Sequence, residues 1–416
     1  MSSLQSELSH AKSTPRPVEL INAVGRRYGG SGRDWLPFDA QALIAGAERA
    51  TGLDDWGDQD FVPALKALIH SMDHEAGLNL TGRLMLGSGL RRFLTNRLKL
   101  ERDWRQHPEI LETAINRPIF IVGFPRTGST LMQRLLSRDP VARSLQVWET
   151  MEPSPPQGQL AHFIDPRRLS SRGRVEFLNW AAPNFAAVHE VTPGEPEECV
   201  GLLQNTFVTD ATELMANLPS YRKFVAQQDM HVPYTHYRKQ LQTLQWRDSK
   251  SHWVLKSPYH QRGLPALMDL FPDALIIQTH RDPCNVAPSF CSLYQVVHEL
   301  TSENAVQKLQ GPQRLDWLSE VNDITLNLRQ KLGPDRFIDV GFSELMRDPI
   351  GIVQRIYDRA GMKLTVAAEN EMRGWHSANP QHKRGVHRYS LEEFGLSTEQ
   401  VHTRLKTYYE AFGEYL

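Results

Sequence analysis

From Asp39 onward the apolar residues recur at spacings of three and four. In FDAQALIAGAERATG (38–52) this predicts a helix stopped by Gly52. FVPALKALIHSMDHEAG (61–77) repeats the pattern, with Pro63 in the first turn and Gly77 after the last. A third helical stretch, GRLMLGSGLRRFLTNRLKLERDWRQHP, runs to Pro108. Beyond residue 115 the period changes. PIFIVGF (118–124), HWVLKS (252–257), ALIIQTH (274–280) and RFIDVGF (336–342) are short apolar runs rich in β-branched residues, the pattern of buried strands. Helical text follows or separates them, as in LMQRLLSRDP, PALMDLF and PIGIVQRIYDRAGM.

Strands alternating with helices predict an α/β fold, a parallel sheet flanked by helices. The expected organisation is a flexible leader over 1–35, marked by Pro15, Pro17 and the Gly29-Gly30-Ser31-Gly32 cluster. An all-helical N-terminal region over 36–115 follows, then an α/β domain over 116–416 whose segment around 150–250 is a helical or irregular cap.

Composition narrows the classes. Lys plus Arg total 47 against 48 Asp plus Glu, so no basic excess suits a nucleic-acid polymer. The densest basic stretch, Arg91 to Arg105, has helical spacing and reads first as a solvated helix face. The three cysteines, Cys199, Cys284 and Cys291, make no disulfide framework and lack zinc-ligand spacing. The pairs His231/His236 and His382/His387 each lack a third ligand, so no metal is expected. No apolar run approaches the roughly 18 residues of a membrane span, and MSSLQSELSHAKSTPRPVEL has no secretory h-region. The expectation is a cytoplasmic, soluble protein.

The strongest chemical signal is Gly123-Phe-Pro125-Arg126-Thr127-Gly128-Ser129-Thr130, set between a predicted strand and a predicted helix. Glycine admits close backbone approach, and free N–H groups at a helix start cradle an anion. The spacing is that of a nucleotide-triphosphatase P-loop, except that Ser129 stands where the lysine belongs and Arg126 supplies a cation earlier. Without that lysine, or an acidic strand end to hold Mg²⁺, the loop fits a 5′-phosphosulfate better than a triphosphate. Arg126 is then placed to neutralise a leaving phosphate. A second anchor follows ALIIQTH, where Arg281 ends the strand and Ser289 falls in the next helix.

Together the two motifs resemble the sulfotransferase superfamily, with PRTGST (125–130) as its 5′-phosphosulfate loop and Arg281 to Ser289 as its 3′-phosphate motif. The resemblance implies a P-loop α/β fold. Its donor would be 3′-phosphoadenosine-5′-phosphosulfate (PAPS), with 3′-phosphoadenosine 5′-phosphate (PAP) as product and no metal. Lys383-Arg384-Gly385 resembles, with altered order, the basic loop that closes over the 3′-phosphate. The likeness runs from about residue 38 onward. It is nearest the branch of tyrosylprotein sulfotransferases and bacterial homologues, through VLKSPYHQ, FSELMRDPIGIVQRIYDRAGM and GVHRYSLEEFGLS.

The cytosolic branch of that superfamily takes the acceptor proton with the histidine of Lys-Thr-His. Here the text is Lys256-Ser257-Pro258, so that base is missing. Glu149 resembles the acidic base of the tyrosylprotein branch, and His260, two residues past Pro258, is the alternative. Lys256 is expected to stabilise the sulfuryl oxygens. The acidic stretch His189 to Glu198 reads first as a solvated loop, with the acceptor entrance as the other reading. The expected acceptor is the hydroxyl of a small or amphipathic molecule. The competing functions are a P-loop small-molecule kinase and a catalytically inactive PAP-binding protein. A homodimer is left open, since no segment encodes oligomeric state.

Overall fold

The computed structural model describes residues 15–28, 30–156, 165–181, 191–192, 194–246, 248, 250–379 and 389–416. Its helical N-terminal part comprises α1 (Arg16–Tyr28), α2 (Ala40–Thr51), α3 (Phe61–His74) and α4 (Leu80–Gln106). Asp39 caps α2 by accepting from the Ala42 N–H at 2.7 Å, and Gly52 ends it in the left-handed region at φ 68°. Leu65, Leu68, Leu90 and Leu94 of α3 and α4 pack with Phe207, Leu218 and Tyr221 of the cap. The N-terminal helices therefore bury their apolar stripe against the middle of the chain.

Helix α1 lies inside the stretch expected to be a flexible leader. Val18 packs with Leu293, Val297 and Leu300, and the Asn22 side chain accepts from the Thr81 N–H at 2.9 Å. The prolines at 15 and 17 sit at the helix start, where a missing N–H costs nothing, so they begin a helix rather than forbid one.

Five parallel strands follow in the order β2-β3-β1-β4-β5. They are β1 (Ile119–Gly123), β2 (Ala142–Arg143), β3 (His252–Lys256), β4 (Leu275–His280) and β5 (Phe337–Gly341). Four match the apolar runs; β2, with only two residues, carries no pattern to read. Every residue of β1 and β3 is buried. Phe120, Val122, Leu255 and Ile276 face one core, while Ile119, Ile121, Val254 and Ile277 face the other, so helices cover both faces of the sheet. The carboxyl ends of β1, β3, β4 and β5 lead to Pro125, Ser257, Arg281 and Phe342 respectively, which is where ligands bind in an open α/β sheet.

Candidate active site

The turn after β1 is shaped by its glycines. Gly123 has φ 123° and is in register with Thr279; a Cβ there would meet the Thr279 carbonyl oxygen at 2.4 Å. Gly128 has φ 91°, and its added Cβ would lie 2.9 Å from Leu345 Cδ2. Between them Thr127, fully buried, donates to the Phe124 carbonyl at 2.6 Å and shares a 2.6 Å bond with Thr279 Oγ1. Arg126 adopts φ 70°, a left-handed conformation costly for a side-chain-bearing residue. The loop opens α5 (Ser129–Leu136) with no side chain capping it, so the N–H groups of its first turn are left for an anion.

Arg281 and Ser289 arrive at the same loop. Arg281 Nη1 donates to the Arg126 carbonyl at 3.1 Å, and Arg126 Nε donates to Ser289 Oγ at 3.1 Å. The Arg281 guanidinium stacks on Phe342, 4.2 Å from the ring centroid. Burial, then the neighbouring Arg126 charge, holds Arg281 below its ordinary range, while Asp282 opposes the shift. Asp282 accepts from the Cys284 N–H at 2.9 Å and from the Tyr409 hydroxyl at 2.7 Å. Arg126, Arg281 and Ser289 thus meet at one loop, a set of donors suited to an anion.

These residues line one cavity of about 1060 Å³. Pro125, Arg126, Gly128, Ser129, Thr130, Arg281 and Ser289 all belong to its wall. Lys256, at the end of β3, is 2% exposed; its Nζ is ion-paired with Glu198 and lies 3.4 Å from Thr130 Oγ1. Lys383, Arg384 and Gly385 lie outside the described residues, as do His189 and Glu190.

Neither expected base belongs to that wall. Glu149 is 2% exposed and sits in α6 (Val147–Met151). Both its oxygens are taken, by the Arg143 guanidinium and by the Gln146 N–H at 2.9 Å, in a capping box. His260 is fully buried, with Nδ1 2.9 Å from the Tyr234 hydroxyl, and desolvation pushes it down to about 3. Its ring packs edge-on against Phe120 and Tyr237 in the core. The geometry gives Glu149 a helix-capping job and His260 a packing one.

Among the described residues, the carboxylates that line the cavity are Glu197 and Glu198, from the stretch that reads as a solvated loop. Three backbone ties hold it in. Gln146 bridges Pro196, the Glu197 N–H donates to the Leu145 carbonyl at 2.8 Å, and the Cys199 N–H donates to the Lys256 carbonyl at 2.9 Å. The Glu198 N–H in turn donates to Glu197 Oε1 at 2.8 Å. Burial pushes the Glu197 carboxyl up to about 7, with the backbone N–H bond, Lys256 and Arg134 opposing it and the Glu198 charge adding to it.

A parallel α/β sheet with a glycine-bounded anion loop, a serine in place of the P-loop lysine and a second arginine–serine anchor defines a nucleotide-anion-binding protein built for group transfer. Residues 118–365 match the sequence profile of the sulfotransferase family, and the chain belongs to that family. It is 33% identical to sulfotransferase STF1 from Mycobacterium tuberculosis, covering 89% of this chain and 99% of that one, with a TM-score of 0.79. Sulfotransferase STF9 from Mycobacterium avium gives 27% identity, coverage of 90% and 96%, and a TM-score of 0.80. Among curated relatives, omega-hydroxy-beta-dihydromenaquinone-9 sulfotransferase Stf3 of Mycobacterium bovis is 28% identical over 271 residues, 61% of this chain. The match spans 65% of that relative's length.

Proposed function

We propose that this chain transfers a sulfuryl group from PAPS to the hydroxyl of an amphipathic small molecule by in-line displacement. The observation that carries the reading is the meeting of Arg126, Arg281 and Ser289 beside a phosphate loop without its lysine. That arrangement offers two anion sites in one cavity, as a nucleotide with a 5′-phosphosulfate and a 3′-phosphate requires. The uncapped first turn of α5 suits the 5′ end, and Arg281 with Ser289 suits the 3′-phosphate.

When bound, the donor supplies an activated sulfuryl group, and its S–O bond to the 5′-phosphate breaks as the acceptor oxygen attaches. Arg126 and the α5 N–H groups stabilise charge on the departing phosphate oxygen. Lys256, held beside Thr130, faces the sulfuryl oxygens. Glu197 takes the acceptor proton, because a carboxyl raised to about 7 matches a general base working near neutrality. Glu198 is ion-paired with the Lys256 ammonium and serves as its anchor.

Apolar residues line the rest of the cavity, including Val147, Met151, Val200, Leu214 and Leu293. The Mycobacterium bovis relative is named for an omega-hydroxylated dihydromenaquinone, and this apolar wall supports a hydroxylated apolar acceptor here too. The test is incubation with PAPS labelled in its sulfuryl group and a panel of long-chain alcohols. Label in the organic product together with stoichiometric PAP supports the reading; PAP-independent labelling, or transfer from ATP instead, contradicts it.

A further inference from the structure

Away from the phosphate loop the cavity wall carries a second pair of cations, Arg92 from α4 and Arg174 from α7 (Pro166–Ala181). The sequence places Arg92 in a basic stretch with the look of a solvated helix face. The structure turns it inward instead: its Nε is cut off from solvent and has no hydrogen-bond partner among the described residues. Its guanidinium lies 5.0 Å from the Phe93 ring centroid, and it forms no ion pair among the described residues. A cation so placed is poorly solvated, and proteins rarely leave one so without a use.

Its surroundings sharpen the point. Arg174 lies 3.8 Å from Glu152, and that same carboxylate lies 3.9 Å from Lys99. That one carboxylate thus pairs with two cations, neither of them Arg92. Burial, then the Arg174 charge, pushes Arg92 down to about 10, with Glu152 opposing. The charges acting on Arg281 are Arg126 and Asp282, none of which acts on Arg92. The cavity wall thus carries two pairs of cations, and the proposed donor's anions are matched by Arg126 and Arg281. The same wall carries apolar residues, Met151, Val175, Leu178 and Leu214 among them.

We propose that Arg92 and Arg174 form an anion subsite for the acceptor. It selects a molecule whose hydroxyl lies at the Glu197 end and whose second, negatively charged group lies beyond an apolar middle. This rests on the sulfotransferase reading and adds the class of acceptor: an amphipathic hydroxy acid or its phosphate or sulfate equivalent rather than a neutral alcohol. A guanidinium recognises any of these oxyanions through the same forked donors.

The experiment uses the full chain loaded with PAP. Calorimetry measures binding of ω-hydroxy fatty acids of increasing chain length beside their methyl esters, which keep the hydroxyl and the apolar chain but lose the charge. At the matching length the acid is expected to bind at least about ten-fold tighter than the ester, the effect of one charge-assisted hydrogen bond. Arg92→Gln and Arg174→Gln are each expected to erase most of that advantage while leaving ester and PAP affinity unchanged. Arg174, half-exposed on its helix, supplies a variant whose folding is not in question. Equal affinity of acid and ester at every length, or a preference that survives in both variants, overturns the subsite. Failure to bind PAP at all sinks the donor assignment instead, so the two outcomes are distinguishable.

Discussion

Lys256 forms an ion pair with Glu198 of the cavity wall, with the lysine 2% exposed and its Nζ 3.4 Å from Thr130 of the phosphate loop. The pair holds the lysine at the loop, and breaking it from one side leaves a charge in a desolvated place. Glu198→Gln is therefore expected to destabilise the fold by about 3–5 kcal/mol, the cost of orphaning a buried partner. The double substitution Lys256→Met with Glu198→Leu is expected to recover most of that stability and none of the turnover. Urea titration beside a turnover assay checks both; a double variant that transfers sulfuryl normally would remove Lys256 from the chemistry.

The role proposed for Glu197 links activity to pH. Its folded-state carboxyl, raised to about 7, must be ionised to accept a proton, so kcat/KM is expected to rise with pH through about 7 and then level off. Glu197→Gln should lower turnover by roughly 10²–10⁴-fold and flatten that limb. The sign on stability is opposite. Because the folded pKa lies above the unfolded one, the fold favours the protonated form, and ionisation destabilises it progressively from about pH 4.5 to about pH 7. The glutamine variant should accordingly gain on the order of 1–3 kcal/mol above pH 7 and nothing at pH 4. A variant that loses both activity and stability at pH 8 would speak for a purely structural carboxylate.

Glu149 should behave the other way. Its carboxylate caps α6 and pairs with Arg143, which also meets Asp248 at 2.8 Å. Glu149→Gln is expected to cost about 1–3 kcal/mol of stability, with the remaining Asp248 contact limiting the loss. Turnover per folded molecule should change less than about two-fold. A large fall in kcat with an unchanged melting temperature would return Glu149 to the chemistry.

The contrast between these carboxylates marks what the sequence made legible. The strands ending at Gly123, Lys256, His280 and Gly341 are short, and each carries a run of buried apolar residues, so their ends, and the anion loop beyond the first, follow from local text. Arg126, Arg281 and Ser289 come together because parallel neighbours β1 and β4 present their carboxyl ends side by side. The base proposed here, Glu197, was less legible, because proximity to a cavity is a long-range property. Gln146-x-x-Glu149 carries a capping-box pattern that local reading could have caught. The pinning of residues 196–199 to Leu145, Gln146 and Lys256 depends on backbone bonds that leave no trace in residue type. Helix α1 was hidden for a related reason: its few buried positions, Val18, Asn22 and Gly25, are too sparse to show an apolar stripe.

Arg281 distinguishes the donor from ordinary adenine nucleotides. Arg281→Ala is expected to weaken PAP binding by about 1.5–3 kcal/mol while leaving adenosine 5′-phosphate nearly unaffected, because only the former carries a 3′-phosphate. Competition binding with both nucleotides reads the difference. Equal losses for the two would move Arg281 to the 5′ side of the site.

The central claim is that the cavity holds a 3′-phosphorylated adenosine donor, and calorimetric titration of the full chain tests it most directly. The arrangement of Arg126, Arg281 and Ser289 predicts tight binding of PAP with EDTA present and little binding of ATP with Mg²⁺. Preference for ATP with Mg²⁺ over PAP would contradict the account and favour phosphoryl transfer.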